Sequence, residues 1–266
     1  MTRNAAAMTA LVLTTGLVFV ILYGPIFVPI VSSVFVVKQG TVHWDEPTLG
    51  AYAALIRNDG IMTALRNTLI VGASAVVLSL ALGTLLAFHY QGGRTRSREL
   101  LQLVVFLPFL MPPMITGLSL LIFFRETEFD RSLLTVIIGH TVFVLAVVYR
   151  TILVRLQSLS SSLVEASYDL GASGWQTFRH VLLPNLSSAM VGAAALAFAL
   201  SFDETMITIL VTGTDSTLPI RLWAMMRLGF TPDINALVAI ILAMTTALCL
   251  VAARHLMPRD AAAQGD

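Results

Sequence analysis

Asp203 and Glu204 stand side by side inside an apolar run that extends from about residue 189 to 211, and two carboxylates in such a place have few uses. They can serve as general acid and base toward a bound substrate, or they can compensate the charge of a cation that passes them. A carboxylate at the centre of a membrane helix costs about 2.5 to 3.5 kcal/mol on insertion scales, so it must face protein or a watery cavity. Adjacent residues on a helix point about 100° apart, so the two cannot do the same work: either one lines a path while the other pairs with an arginine, for which Arg221 and Arg227 are candidates, or the pair is locked in a structural ion pair or exposed at the outer surface. Phe198 and Phe202, on the same run, offer ring faces for cation–π contact. Other chemistry is sparse. The histidines, His43, His89, His140, His180 and His255, have no metal-ligand spacing and read as loop or interface residues. There is no G-x-x-x-x-G-K-[ST] phosphate loop, no H-E-x-x-H and no G-x-S-x-G, and the single cysteine, Cys249, excludes an internal disulfide or a Cys-rich metal site.

A second constellation is polar. Ser160 to Pro184, SSSLVEASYDLGASGWQTFRHVLLP, interrupts the apolar sequence and reads as two short helices with an elbow between them. Ser162 with Glu165 has the form of a capping box, in which hydroxyl and carboxylate satisfy orphan backbone donors at a helix start. Gly171 then closes the helix in a left-handed conformation, and Ser173 with Gln176 repeats the box. The second helix is expected to end before Pro184, because a residue ahead of proline, here Leu183, is pushed away from helical geometry.

Glu165-Ala166-Ser167, three residues, Gly171, nine residues, then Val181-Leu182-Leu183-Pro184 resembles the EAA loop of the permease subunits of binding-protein-dependent ABC importers, with Ser167 for the third alanine and Val181 for isoleucine. The stretch ALRNTLIVGASAVVLSLALGTLLAF from Ala64 is similar to the first core helix of such permeases. The acidic pair and the pattern Thr217-Leu218-Pro219, Arg221, Trp223 are similar to the polyamine (spermidine/putrescine) type. The resemblance implies a loop lying in the cytoplasm and docking on an ATPase subunit through Glu165, Ala166, Ser167, Asp169, Gly171, Leu183 and Pro184. It further implies a second permease subunit in a heterodimer, two ATPase subunits that carry the ATP and Mg²⁺, and an extracytoplasmic substrate-binding protein. The chain itself would hold no cofactor and hydrolyse nothing. A polyamine or related small organic cation is the implied substrate, with amino-acid derivatives, thiamine or iron as alternatives, since binding proteins usually set specificity in this family. A membrane-embedded enzyme using Asp203 and Glu204 is the rival from another class, disfavoured by the lack of any further catalytic group near the pair. A self-sufficient channel lacks a repeated or filter-like segment.

The elements that must carry these residues follow from composition. In 266 residues, 57% are hydrophobic and 12% charged, against roughly a quarter charged in soluble domains, so the chain is an integral membrane protein. A net charge of +1 and no basic block beyond Arg94, Arg96 and Arg98 leave nucleic-acid binding unsupported. Six apolar runs, about 10–37, 67–90, 100–124, 132–154, 189–211 and 234–252, each suffice to cross a core about 30 Å thick. The first is too long for a secretory h-region and reads as a retained helix. The expectation is thus an all-α integral membrane protein, one transmembrane permease domain over 1–266, with the importer-permease fold, six helices and a cytoplasmic coupling loop at 155–187 between the fourth and fifth spans. It would be multi-pass in the bacterial cytoplasmic (inner) membrane, lipid around it and both termini in the cytoplasm. That orientation leaves nine basic residues inside against seven outside, a slight bias that leans on the loop. Gly24, Pro25 and Pro29 should kink the first span, and Pro108, Pro112 and Pro113 should break the third. Between the first two spans a loop from Lys38 to Arg66 is expected, with Trp44 and Tyr52 at an interface and a turn at Asp59-Gly60.

Overall fold

The computed structural model describes residues 2–38, 41–92, 95–228 and 233–256; these form two compact units, one of the described residues up to 62 with those of 224–246, the other of the described residues of 63–223 with those of 247–256.

In the first unit, helix α1 (Thr2–Ser32) runs through Pro25 and Pro29 without ending. It stops at Ser32 rather than near 37 because the next residues, Val34 to Val37, are mostly β-branched and pair as a strand. Strands β1 (Phe35–Lys38) and β2 (Thr41–Pro47) form an antiparallel hairpin with a bulge between Phe35 and Val36. This hairpin departs from the all-α expectation. Its Trp44 lies edge-on to Phe35, and Lys38 pairs with Glu46 at 3.3 Å. Helix α2 (Gly50–Arg57) follows, where Tyr52 shares a 2.8 Å hydrogen bond with Ser33. Helix α3 (Asp59–Gly92) begins where a turn was expected. Asn58 caps it, its Oδ1 accepting from the Ile61 amide while its Nδ2 donates to Asp233 at the start of α12 (Asp233–Leu256).

The second unit is built around helix α6 (Leu133–Gln157), on which Val136, Val144, Ala146, Val148, Tyr149, Ile152 and Leu153 are fully buried. Helix α4 (Thr95–Leu110) and helix α5 (Pro113–Glu126) meet at a 106° bend at Met111-Pro112, so the third apolar run is broken where its prolines predict. The Arg98 guanidinium donates to the Tyr90 and Gln91 carbonyls, 2.8 Å each, and caps the last turn of α3. Helices α7 (Ser161–Asp169) and α8 (Gly174–Thr177) form the elbow. A π-helical turn (Phe178–Leu182) then leads into α9 (Leu183–Asp203), followed by α10 (Met206–Val211) and α11 (Leu218–Leu228).

The helix entered at Gly174 therefore does not stop before Pro184; it continues to Asp203. Pro184 has no N–H to give, and its ring crowds the carbonyl four residues back. The preceding turn widens instead, with the Leu183 amide reaching the Phe178 carbonyl five residues away, and Leu183 stays helical. Among the described residues four helices are long and apolar enough to cross a membrane, Ala7–Ser32, Asp59–Gly92, Leu133–Gln157 and Gly174–Asp203, and a fifth if the bent pair is one span. The sixth run falls in α12, whose apolar stretch Asp233–Ala247 is shorter.

Candidate functional site

The elbow is built from its caps. Ser160, not Ser162, is the N-cap of α7, its hydroxyl accepting from the Ser162 amide at 3.3 Å, so the predicted Ser162–Glu165 box is not formed and Glu165 is exposed. The cap moves back because Ser160 is the residue with extended backbone, and a Ser-Ser-Ser run offers a hydroxyl at each register. Gly171 closes α7 at φ +79°: its amide bonds the Tyr168 carbonyl and the Ala172 amide the Ser167 carbonyl, the paired pattern of a Schellman motif. Ser173 and Gln176 form the predicted capping box of α8. Ser167 and Thr177 are both buried and their hydroxyls meet at 2.7 Å, fastening α7 to the turn after the elbow. The serine that departs from the family's alanine thus has a partner. Glu165, Ala166, Asp169 and Pro184 are exposed and Leu183 is half-buried. Around the carboxylates lie Leu163, Tyr168, Leu170 and Trp175, all exposed, with Leu170 at 89%. Arg155 donates to the Asn185 carbonyl and ties the end of α6 to the start of α9.

The acidic pair sits at a discontinuity. The fifth apolar run is not one helix: α9 ends at Asp203, Glu204 and Thr205 are non-helical, and α10 begins at Met206. Asp203 is exposed, whereas Glu204 is buried and its Oε1 accepts from the Ile207 amide at 2.9 Å, satisfying an orphan donor of α10. A buried carboxylate that does this has stopped being a mid-helix charge, which corrects the expectation of two carboxylates carried by one continuous helix. Among the described residues no ion pair joins either carboxylate to Arg221. Beside Glu204, a space of about 150 Å³ with no room for a water is lined by Thr68, Val71, His140, Ser201, Phe202, Thr217 and Pro219. The Thr217 hydroxyl is buried there without a hydrogen-bond partner. The chain around it is held by α3, where Asn67 donates to the Ser216 carbonyl and Thr68 Oγ1 accepts from the Leu218 amide. Phe198 and Phe202 lie 5.9 Å apart, both half-buried, Phe198 against Gly72.

His140 is not the loop or exposed interface residue that its lack of metal-ligand spacing suggests, but a buried one. It is buried in α6, with Nδ1 2.7 Å from Ser201 Oγ and Nε2 2.7 Å from Thr208 Oγ1. The available signal was polar residues at the centres of two neighbouring apolar runs, which in lipid must find each other. Ile207 wedges α10 into notches at Gly117 on α5 and Gly139 on α6; a Cβ on Gly139 would lie 2.8 Å from its Cγ2.

This architecture, a buried central helix, two broken apolar helices and an exposed capped elbow, is matched by a protein family. Residues 79–256 match the family described as "Binding-protein-dependent transport system inner membrane component". The chain belongs to this family. The permease is similar to the putrescine transport system permease protein PotI of Escherichia coli (strain K12), 34% identical over 84% of this chain and 82% of that one. It is 28% identical to the spermidine/putrescine transport system permease protein PotC of the same organism, over 91% of each chain. Among solved structures, a bacterial ABC transporter that imports the acidic polysaccharide alginate superposes with TM-score 0.71 at 17% identity, covering 96% of both chains. The MetNI methionine ABC transporter gives TM-score 0.60 at 21% identity, covering 78% of the permease and 96% of the other chain. At these identities the structures speak for the fold, and the permease is an importer transmembrane subunit.

Proposed function

We propose that the permease forms half of the path by which an ATP-driven importer moves a polyamine, or a related small organic cation, across the bacterial inner membrane. The observation that carries the substrate class is the buried Glu204 carboxylate at the break between α9 and α10, beside Phe202. It is supported by relatives whose names specify putrescine and spermidine. A helix interrupted within an apolar run is the usual setting for a transporter site, because non-helical backbone is tolerated where it is buried in protein or lines a cavity; here the break is buried, with no room for a water beside Glu204, so the path has to open before a cation reaches it. In this reading Glu204 compensates the ammonium charge, Phe202 and Phe198 offer ring faces, and exposed Asp203 adds only to the local field. Superposition on an alginate importer does not compete with this, since at 17% identity the likeness speaks for the fold alone.

The chain is one permease domain over 1–266 and crosses the membrane six times, α4 and α5 together making the third span and α12 the sixth, with both termini and the elbow in the cytoplasm. Glu165, Ala166, Ser167, Asp169, Gly171, Leu183 and Pro184 belong to the coupling loop, whose exposed face of Leu163, Tyr168, Leu170 and Trp175 fits an ATPase subunit. A second, different permease chain, two ATPase subunits holding ATP and Mg²⁺, and an external binding protein complete the machine; the chain needs no cofactor of its own.

The test is uptake of labelled putrescine by cells that carry the complete importer. Glu204→Gln keeps the size of the side chain and removes its charge; loss of one charge-assisted contact of about 1.5 to 3 kcal/mol corresponds to uptake reduced roughly tenfold or more. Asp203→Asn should lose no more than about twofold, as expected of an exposed charge. Excess spermidine should compete and thiamine should not. Undiminished uptake by Glu204→Gln at normal membrane abundance defeats the pathway role.

A further inference from the structure

We propose that His140 is a positioning residue for transport: its imidazole staples α9 to α10 across their break and so fixes the backbone of Glu204. The inference rests on the reading of Glu204 as the carboxylate of the path.

The hydrogen bonds have a determined direction. Thr208 Oγ1 donates its one proton to the Glu204 carbonyl oxygen at 2.8 Å, so toward His140 it can only accept. His140 Nε2 therefore carries the proton and donates to Thr208, and Nδ1 is left to accept from Ser201. The chain Ser201 to His140 to Thr208 to the Glu204 carbonyl leaves none of these groups unsatisfied. Ser201 lies in the last turn of α9 and Thr208 in the first turn of α10, so one ring on a third helix holds both sides of the two-residue gap. The same break is held again by the Glu204 carboxylate on the Ile207 amide, and at the far end of α10 the Thr135 hydroxyl lies 2.7 Å from both the Val211 and the Ser132 carbonyls, which share its one proton. With the staple lost, α10 keeps its packing against α5 and α6 through Ile207, but the 204–205 backbone loses its tie to α6 through Thr208, and a carboxylate misplaced by an ångström no longer meets a passing cation.

The experiment is a double-mutant cycle in the complete importer. His140→Phe keeps the ring and removes both bonds, and uptake should fall roughly tenfold, as for a buried hydrogen-bond network cut at its centre. His140→Gln, which keeps a donor toward Thr208, should recover most of the loss, which a requirement for ring packing alone would not allow. In the His140→Phe background the additional penalty of Glu204→Gln should shrink to under about twofold, because a misplaced carboxylate has little left to lose. Penalties that multiply independently, or normal uptake by His140→Phe at normal abundance, overturn the proposal. Should His140→Phe fail to insert, Thr208→Val takes its place in the same cycle. If Glu204→Gln alone proves silent, the pathway reading fails and the staple is judged by the labelling rate of Thr205→Cys in a Cys249→Ala background. Removing His140 should then change that rate at least about fivefold, since an opened break exposes its backbone to solvent, and an unchanged rate sinks the staple too.

Discussion

At Gly171 one residue decides the shape of the elbow. Its φ of +79° is the left-handed region, and an added Cβ there would meet nothing within 4 Å, so any penalty comes from the backbone and none from crowding. L-residues with a Cβ cost about 1–2 kcal/mol in this region, more when β-branched, while asparagine enters it most easily. The expected order of putrescine uptake is therefore wild type, then Gly171→Asn, then Gly171→Ala, then Gly171→Val, at equal membrane abundance. A flat series would show that uptake does not depend on the elbow's shape. Glu128 holds the same conformation at φ 53° after α5, where its amide and that of Phe129 return to the Arg125 and Phe124 carbonyls, and Phe124 packs on Phe129. The same motif closes both helices, with a glycine in one and a glutamate in the other.

Between elements, the decisive contacts are notches and wedges. Ile207 is fully buried and holds α10 against α5 and α6 where Gly117 and Gly139 lack side chains. Gly139→Ala brings a methyl to 2.8 Å from Ile207 Cγ2, inside contact distance, so it should destabilise by about 1–3 kcal/mol, the range for an overpacked core. The measurement is thermal unfolding of the detergent-solubilised importer. Gly139→Ala should lower Tm, and adding Ile207→Ala should regain part of the loss although each change alone is harmful. If the double variant is only as unstable as the two losses summed, the wedge is not the cause. The π-helical turn before Pro184 belongs to this scale as well, since a proline inside a continuous helix was accommodated by widening one turn rather than by ending the helix.

For the molecule as a whole, the outstanding quantity is its sidedness. Ser97, beside the arginine-rich turn, and Ser161, at the start of α7, are both exposed, and both should face the cytoplasm; Glu126, exposed at the end of α5, should face outward. In a Cys249→Ala background, Ser97→Cys and Ser161→Cys should resist an impermeant maleimide added to intact cells and react after permeabilisation. Glu126→Cys should react from outside at once. Labelling of either of the first two in intact cells reverses the orientation.

Short-range patterns were legible without coordinates. The apolar runs announce membrane helices because composition alone sets the cost of leaving lipid. The prolines at 112 and 113 announce the bend, and Ser173, Gln176 and Gly171 announce their caps, because each acts within one turn of itself. Arg98 on the carbonyls of α3, Ser167 on Thr177, Asn58 on Asp233 and His140 between Ser201 and Thr208 pair residues separated by 7 to 8, 10, 175 and 61 to 68 positions, and no local rule proposes such partners. The break at Glu204 is the clearest case. Nothing in Phe202-Asp203-Glu204-Thr205 forbids a continuous helix, and the sequence reading accordingly ran one through it. What interrupts it is tertiary: α10 is pinned to α5 and α6 by Ile207, Thr208 and Val211, α9 packs along α6, and between them the backbone of Glu204 turns extended (φ −71°, ψ 111°) so that both dockings can be satisfied.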